Sequence, residues 1–183
     1  MKKWILTALA IFALVLPAVA LAGADPTNGA LRTFGDGQVT IKGWSATIKN
    51  DPGEHGGVYN KNGPKKSRLD QVKFKFKTDG DVQGGAPRWS IPIDVSGDQH
   101  QDGYAFLDAA NCGATVGTND DHVVTNVSTS NPDCKVFFGP DEWANWAAFA
   151  AAKPDYRVAK KDIPFIIADG AAGNYHVYDL QFG

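Results

Sequence analysis

The sequence predicts an all-β fold, an antiparallel β-sandwich carrying one short α-helix near residues 140–153. Three observations predict it. Short runs alternate apolar with polar residues, the pattern of strands that bury one face. Eighteen of the twenty acidic residues are Asp and only Glu54 and Glu142 are Glu. Asp belongs in turns and Glu in helices, so the skew speaks for loops and strands. Helix signals, in contrast, gather at one place only, just after Gly139.

Residues 1–24 read as a bacterial export signal and residues 25–183 as one domain. Lys2 and Lys3 form the charged head, Trp4 to Leu16 an almost wholly apolar middle, and Pro17 ends it before a run of small residues. Ala22-Gly23-Ala24 fits cleavage after Ala24, with Ala18-Val19-Ala20 as the second choice. Leu21-Ala22-Gly23 resembles the start of a lipoprotein box, but Ala24 stands where the lipidated Cys belongs. The expected product is secreted, periplasmic or extracellular, with no membrane contact after cleavage.

The strands follow in order. Val39 and Ile41 alternate, then Trp44, Ala46 and Ile48 alternate in the opposite phase, so a β-bulge is expected at Gly43. Asn50 to Pro64 is rich in turn residues and reads as a long loop. Val72, Phe74 and Phe76 alternate with lysines; Trp89, Ile91, Ile93 and Val95 form another buried series, with Pro92 suggesting an edge or a bulge. Tyr104–Ala109, His122–Ser128 and Cys134–Phe138 are expected strands, and Tyr156–Ala159 a short one.

In the helix, Pro140 opens, Asp141 and Glu142 favour the positive end of the dipole, and Pro154 forbids continuation. Trp143, Trp146, Ala147 and Ala150 fall on one face, which reads as a face pinned to the sheet. The chain closes in an expected hairpin, Ile163–Ala168 paired with Tyr175–Phe182. Tyr178, Leu180 and Phe182 are expected on its buried side.

In an exported chain the even pair Cys112 and Cys134 reads as one disulfide. Without Lys2 and Lys3, sixteen basic residues face twenty acidic ones, a balance that argues against nucleic acid as a partner. Seven of the sixteen lie between Lys61 and Lys77. They read as a charged outer strand face, with an anionic-polymer patch as the functional alternative.

Enzymatic constellations are missing from the sequence: Gly43-Trp44-Ser45-Ala46-Thr47 fails as a nucleophile elbow at Thr47, and no His-Glu-x-x-His or phosphate loop occurs. Asp98 and Asp102, in Asp98-Gln-His-Gln-Asp102-Gly103, are the candidate metal residues, offering Ca²⁺ two carboxylates in one turn. Otherwise no cofactor is expected. His55 and Tyr59, in the Gly-rich loop, and Tyr104, where the Ser96–Gly103 loop gives way to a strand, are the candidate ligand-binding residues. An exposed Tyr can stack on a sugar ring and hydrogen-bond through its hydroxyl.

The aromatic-rich strands, the Gly/Asp loops and the closing Val177-Tyr-Asp-Leu-Gln-Phe182 together resemble the jelly-roll domains of secreted carbohydrate-binding modules. The resemblance implies a jelly-roll-like sandwich and a non-catalytic domain that binds a polysaccharide or cell-surface polymer. Two other readings stay open: a structural or surface-associated envelope protein, and a hydrolase with an Asp-based site.

Overall fold

The computed structural model describes residues 29–169 and 171–183. The expected export signal, residues 1–24, lies outside the described residues. Thirteen strands follow one another: β1 (Leu31–Gly35), β2 (Gln38–Ile41), β3 (Ser45–Asn50), β4 (His55–Asn60), β5 (Phe74–Thr78), β6 (Arg88–Asp94), β7 (Gly103–Asp108), β8 (Thr125–Ser128), β9 (Val136–Phe138), β10 (Asp141–Trp143), β11 (Arg157–Val158), β12 (Phe165–Asp169) and β13 (Gly173–Phe182). One helix, α1 (Trp146–Ala152), and a 3₁₀ turn at Ala110–Cys112 complete the described elements.

They form two antiparallel sheets, a sandwich as expected. The larger runs β1-β4-β12-β6-β7-β9-β10, with β11 also paired to β6; the smaller runs β2-β3-β13-β5-β8. Trp89 of the larger sheet is fully buried between three rings of the smaller one. Its centroid lies 5.2 Å from Phe74, 6.1 Å from Phe76 and 4.9 Å from Phe182. The alternation of Phe74, Phe76, Trp89, Ile91 and Ile93 therefore reports the core directly, all five being fully buried.

Long-range pairing departs from the sequence expectation in several places. The expected closing hairpin does not form: β12 pairs with β4 and β6 in the larger sheet, whereas β13 pairs with β3 and β5 in the smaller. The chain crosses from one layer to the other between them. Along β13 the register shifts between Tyr178 and Gln181, and Asp179 takes a left-handed conformation (φ 55°). Tyr175 and Val177 face inward before that bulge and Leu180 and Phe182 after it, which leaves Tyr178 outside, stacked on His176 at 5.2 Å. Gly43 is no bulge. With Trp44 it makes a two-residue hairpin turn closed by reciprocal Lys42 and Ser45 backbone bonds, and Trp44 is exposed.

The segment expected as a long loop contains β4, a strand flanked by β1 and β12. Glycine makes that position possible. A Cβ on Gly56 would stand 2.9 Å from both Ile48 and Val39, so the two layers approach too closely there for any larger residue. Pro92 likewise lies on a central strand. Its carbonyl accepts the Ala159 amide, so its nitrogen faces the residues just past β11, where the paired ladder stops at Val158–Ile93 and the bond to Pro92 runs one way only.

The helix is shorter than residues 140–153. Asp141–Trp143 pairs with β9, Glu142 opposite Phe137, and Lys135 Nζ reaches Glu142 at 2.7 Å. The N-cap is Asn145, whose Oδ1 accepts the Ala148 amide. Trp146 and Phe149 are the residues α1 buries, and Trp143 packs against Phe149 from the hairpin.

Cys112 and Cys134 are disulfide-bonded and buried. β7 and β9 are neighbours in the larger sheet, yet between them the chain leaves to supply β8 to the smaller one. The bond ties the two ends of that excursion together. Among the described residues no helix is long and apolar enough to cross a membrane.

Candidate functional site

The larger sheet has apolar side chains on both faces. Strand alternation sends Val58, Ile166, Trp89 and Leu107 inward and their neighbours outward. Pairing registers align one outward row as Tyr59, Phe165, Ser90, Phe106 and Phe137, on β4, β12, β6, β7 and β9. A second row holds Phe34, Gly57, Ile167 and Arg88, and Tyr104, opposite Pro92, stands on the other side of the first row. The aromatic residues here are all half-buried.

Ring contacts join the rows into one surface. Phe165 lies at its centre, 5.2 Å from Phe34 and 5.6 Å from Tyr104 by ring centroids. Phe34 in turn meets Tyr59 at 6.3 Å, and Tyr104 runs near-parallel to Phe106 at 6.5 Å. Phe34, Tyr59, Phe165 and Ile163 line a shallow depression of about 260 Å³. Polar groups punctuate the face. Arg88 holds Asp169 through two bonds of 2.6 and 2.7 Å and lies 5.1 Å from the Phe106 centroid. Burial, with the Asp162 carboxylate adding to it, pushes the Tyr104 hydroxyl above the ordinary tyrosine range, so it remains a donor at neutral pH.

The opposite side of the sandwich differs in chemistry. On the smaller sheet the outward positions include Thr40, Thr47, His176, Tyr178 and Lys77. His176 Nδ1 lies 2.5 Å from Asp79 Oδ1 there. A polar face is ordinary for an antiparallel sheet against water; an aromatic one is not.

Of the residues singled out in sequence, Tyr59 and Tyr104 belong to this one face, linked through Phe34 and Phe165. Tyr59 does so from a strand, not a loop. His55 begins the same strand but turns to Asp36, with Nδ1 3.1 Å from the carboxylate, and makes no ring contact with the aromatic rows. Asp98 and Asp102 organise their own loop. Asp102 Oδ2 accepts the amides of Val95 and Ser96 at 2.7 and 2.9 Å, which hold its carboxyl below the ordinary range, and Asp98 Oδ1 accepts the His100 amide. Asp94 and Asp162 bond neighbouring amides in the same way. Among the described residues no group of three or more His, Cys, Asp or Glu is arranged around a metal position.

Sequence reasoning passed over Phe34, Phe106, Phe165 and Ile167. A signal for three of them existed: Tyr104-Ala-Phe-Leu107 and Phe165-Ile-Ile-Ala168 are apolar on both phases, which marks strands covered on both sides. Set against protein-family models, curated proteins and solved structures, the chain matches none of them.

Proposed function

We propose that this chain is an exported, non-catalytic binding domain that takes a polysaccharide or similar extracellular polymer on the aromatic face of its larger sheet. The observation that carries the reading is the contiguous surface Phe34–Tyr59–Phe165–Tyr104–Phe106, held on a rigid sheet and edged by hydrogen-bonding groups. Sugar rings offer an apolar C–H face and a rim of hydroxyls, and this surface offers rings beside tyrosine hydroxyls and the Arg88–Asp169 pair. The buried disulfide supports the export part of the reading, since such bonds persist in oxidising compartments.

One observation favours a second reading. The face spans the sheet from β1 to β9 and includes Ile163 and Ile167, a breadth that also suits an envelope protein meeting another protein. Polysaccharide pull-downs with the wild type, Tyr59→Ala, Tyr104→Ala and, from the opposite sheet, Thr47→Ala decide between them. The expected result is retention on at least one polysaccharide, weakened about three- to tenfold by either tyrosine change and unaltered by Thr47→Ala. No retention on any polysaccharide, with the tyrosine changes instead abolishing capture of a cell-surface protein, would replace the first reading by the second.

A further inference from the structure

We propose a second binding site, for a carboxylate-bearing polysaccharide, in the groove between helix α1 and the segment Arg68–Lys73. The groove has a volume of about 510 Å³ and shares no residue with the aromatic face. It therefore stands whether or not that face binds a glycan.

Its walls are preformed. Trp146 is buried, and its Nε1–H donates to the Leu69 carbonyl at 2.7 Å, fixing the helix to the opposite wall. Ala147, Ala150 and Ala151 recur at i, i+3 and i+4, so α1 turns a strip of methyl groups toward the space. Leu69 and Val72 line the other side, with Thr129 and Ser130 just past the end of β8. Ala147 and Ala151 are exposed, which leaves the groove open along its length for an extended chain.

Charge selects the ligand. The run of basic residues from Lys61 to Lys77 divides in the fold into neutralised and free members. Asp179 takes Lys75 and Lys77, and Asp70 takes Arg68 through bonds of 3.0 and 2.9 Å. Lys73, on the groove wall, belongs to no ion pair among the described residues. Lys153, on the opposite rim, also has none. Its ammonium rests 5.3 Å from the Tyr156 centroid and 5.9 Å from that of Trp143, contacts that hold a cation without discharging it. Two lysines without a carboxylate partner thus line a groove floored by methyl groups. A uronic-acid unit matches that arrangement: carboxylate to the lysines, ring C–H face to the alanines, and a ring hydroxyl to Ser130, whose own hydroxyl bonds Ser128 alone.

Titrating the full-length protein, processed as the cell delivers it, with polygalacturonate and separately with a neutral glucan tests the assignment. Wild type is expected to bind polygalacturonate. Lys73→Gln/Lys153→Gln should weaken that binding at least about tenfold, and Lys73→Arg/Lys153→Arg should preserve it. Ala151→Phe fills the groove without altering charge and should weaken it similarly, with the unfolding midpoint checked in each case. Lys65→Gln/Lys66→Gln removes the same charge nearby and should change binding less than about twofold. No binding of polygalacturonate by the wild type, an equal loss in the Lys65/Lys66 pair, or undiminished binding by Ala151→Phe would each overturn the site. Neutral-glucan binding lost in Tyr59→Ala reports on the aromatic face alone, so failure of one site is read separately from failure of the other.

Discussion

The ring of Phe34 occupies the space that a side chain at position 57 would need: a Cβ on Gly57 would stand 2.4 Å from Phe34 Cζ. The two residues are register partners on β1 and β4. The edge strand thereby lays a ring over its neighbour's bare backbone, and that ring is also what connects Tyr59 to Phe165.

Gly57→Ala is therefore expected to disturb the face and the fold together. The new methyl would also meet the Ile166 carbonyl oxygen at 2.4 Å, and a backbone atom in a paired strand has little room to yield. Overpacking of this kind costs about 1–3 kcal/mol, which should lower the thermal midpoint by several degrees. Phe34→Ala, which creates no clash, should weaken ligand binding with a smaller fall. A Gly57→Ala protein of wild-type midpoint would contradict this account of the close approach.

Phe74→Ala and Trp89→Ala should each cost about 3–5 kcal/mol in denaturant unfolding, because both side chains are fully buried at the contact between the sheets. Lys75→Ala removes only a partly exposed ion pair with Asp179 and should cost less than about 1 kcal/mol. Trp89 adds a finer test. Its Nε1 is buried with no hydrogen-bond partner, so Trp89→Phe discards an unsatisfied donor along with part of the ring. It is expected to cost much less than Trp89→Ala.

Replacing both Cys112 and Cys134 by Ala should reduce stability by about 3 kcal/mol, the chain-entropy value for a loop with a sequence separation of 22. Mass spectrometry of the native protein should find no free thiol. Two free thiols in exported material would remove the basis of both statements.

Acid should unfold this protein from a defined point. Asp36 accepts the His55 amide, Asp70 the Arg68 guanidinium, Asp102 the Ser96 and Val95 amides, and Asp179 the Lys75 and Lys77 ammonium groups. Each of these contacts holds its carboxyl below the ordinary aspartate value. A lowered folded pKa means that the unfolded chain takes up protons first. The stabilisation is then complete above the unfolded pKa and disappears as pH falls toward the folded values. The thermal midpoint should hold from neutrality to about pH 5 and drop below about pH 4. Asp102→Asn should lie below wild type at pH 7 and converge with it in acid; a gap independent of pH would exclude the carboxylate as its cause.

What could be read from the sequence was whatever alternation reports. The inward phases of β3, β5 and β6 follow from local pattern because burial repeats every second residue. Partner choice leaves no such trace. Phe165–Asp169 and Gly173–Phe182 are separated by a turn-like connection that reads as a hairpin, and only the packing of two layers sends them to different sheets. Pro140-Asp141-Glu142 fits a helix start by composition; cross-strand contact with β9 decides otherwise. The aromatic face was half visible. Tyr59 and Tyr104 stood out as aromatics beside polar loops, whereas Phe34 and Phe165 join them only after three strands distant in sequence are set side by side.

The unlike chemistry of the two faces has a practical outcome. The outward rows of the larger sheet described above contain arginine but no lysine, while Lys49 and Lys77 stand on the smaller sheet. Coupling through Lys49 or Lys77 would therefore hold this protein by its back and leave its rings pointing into the sample.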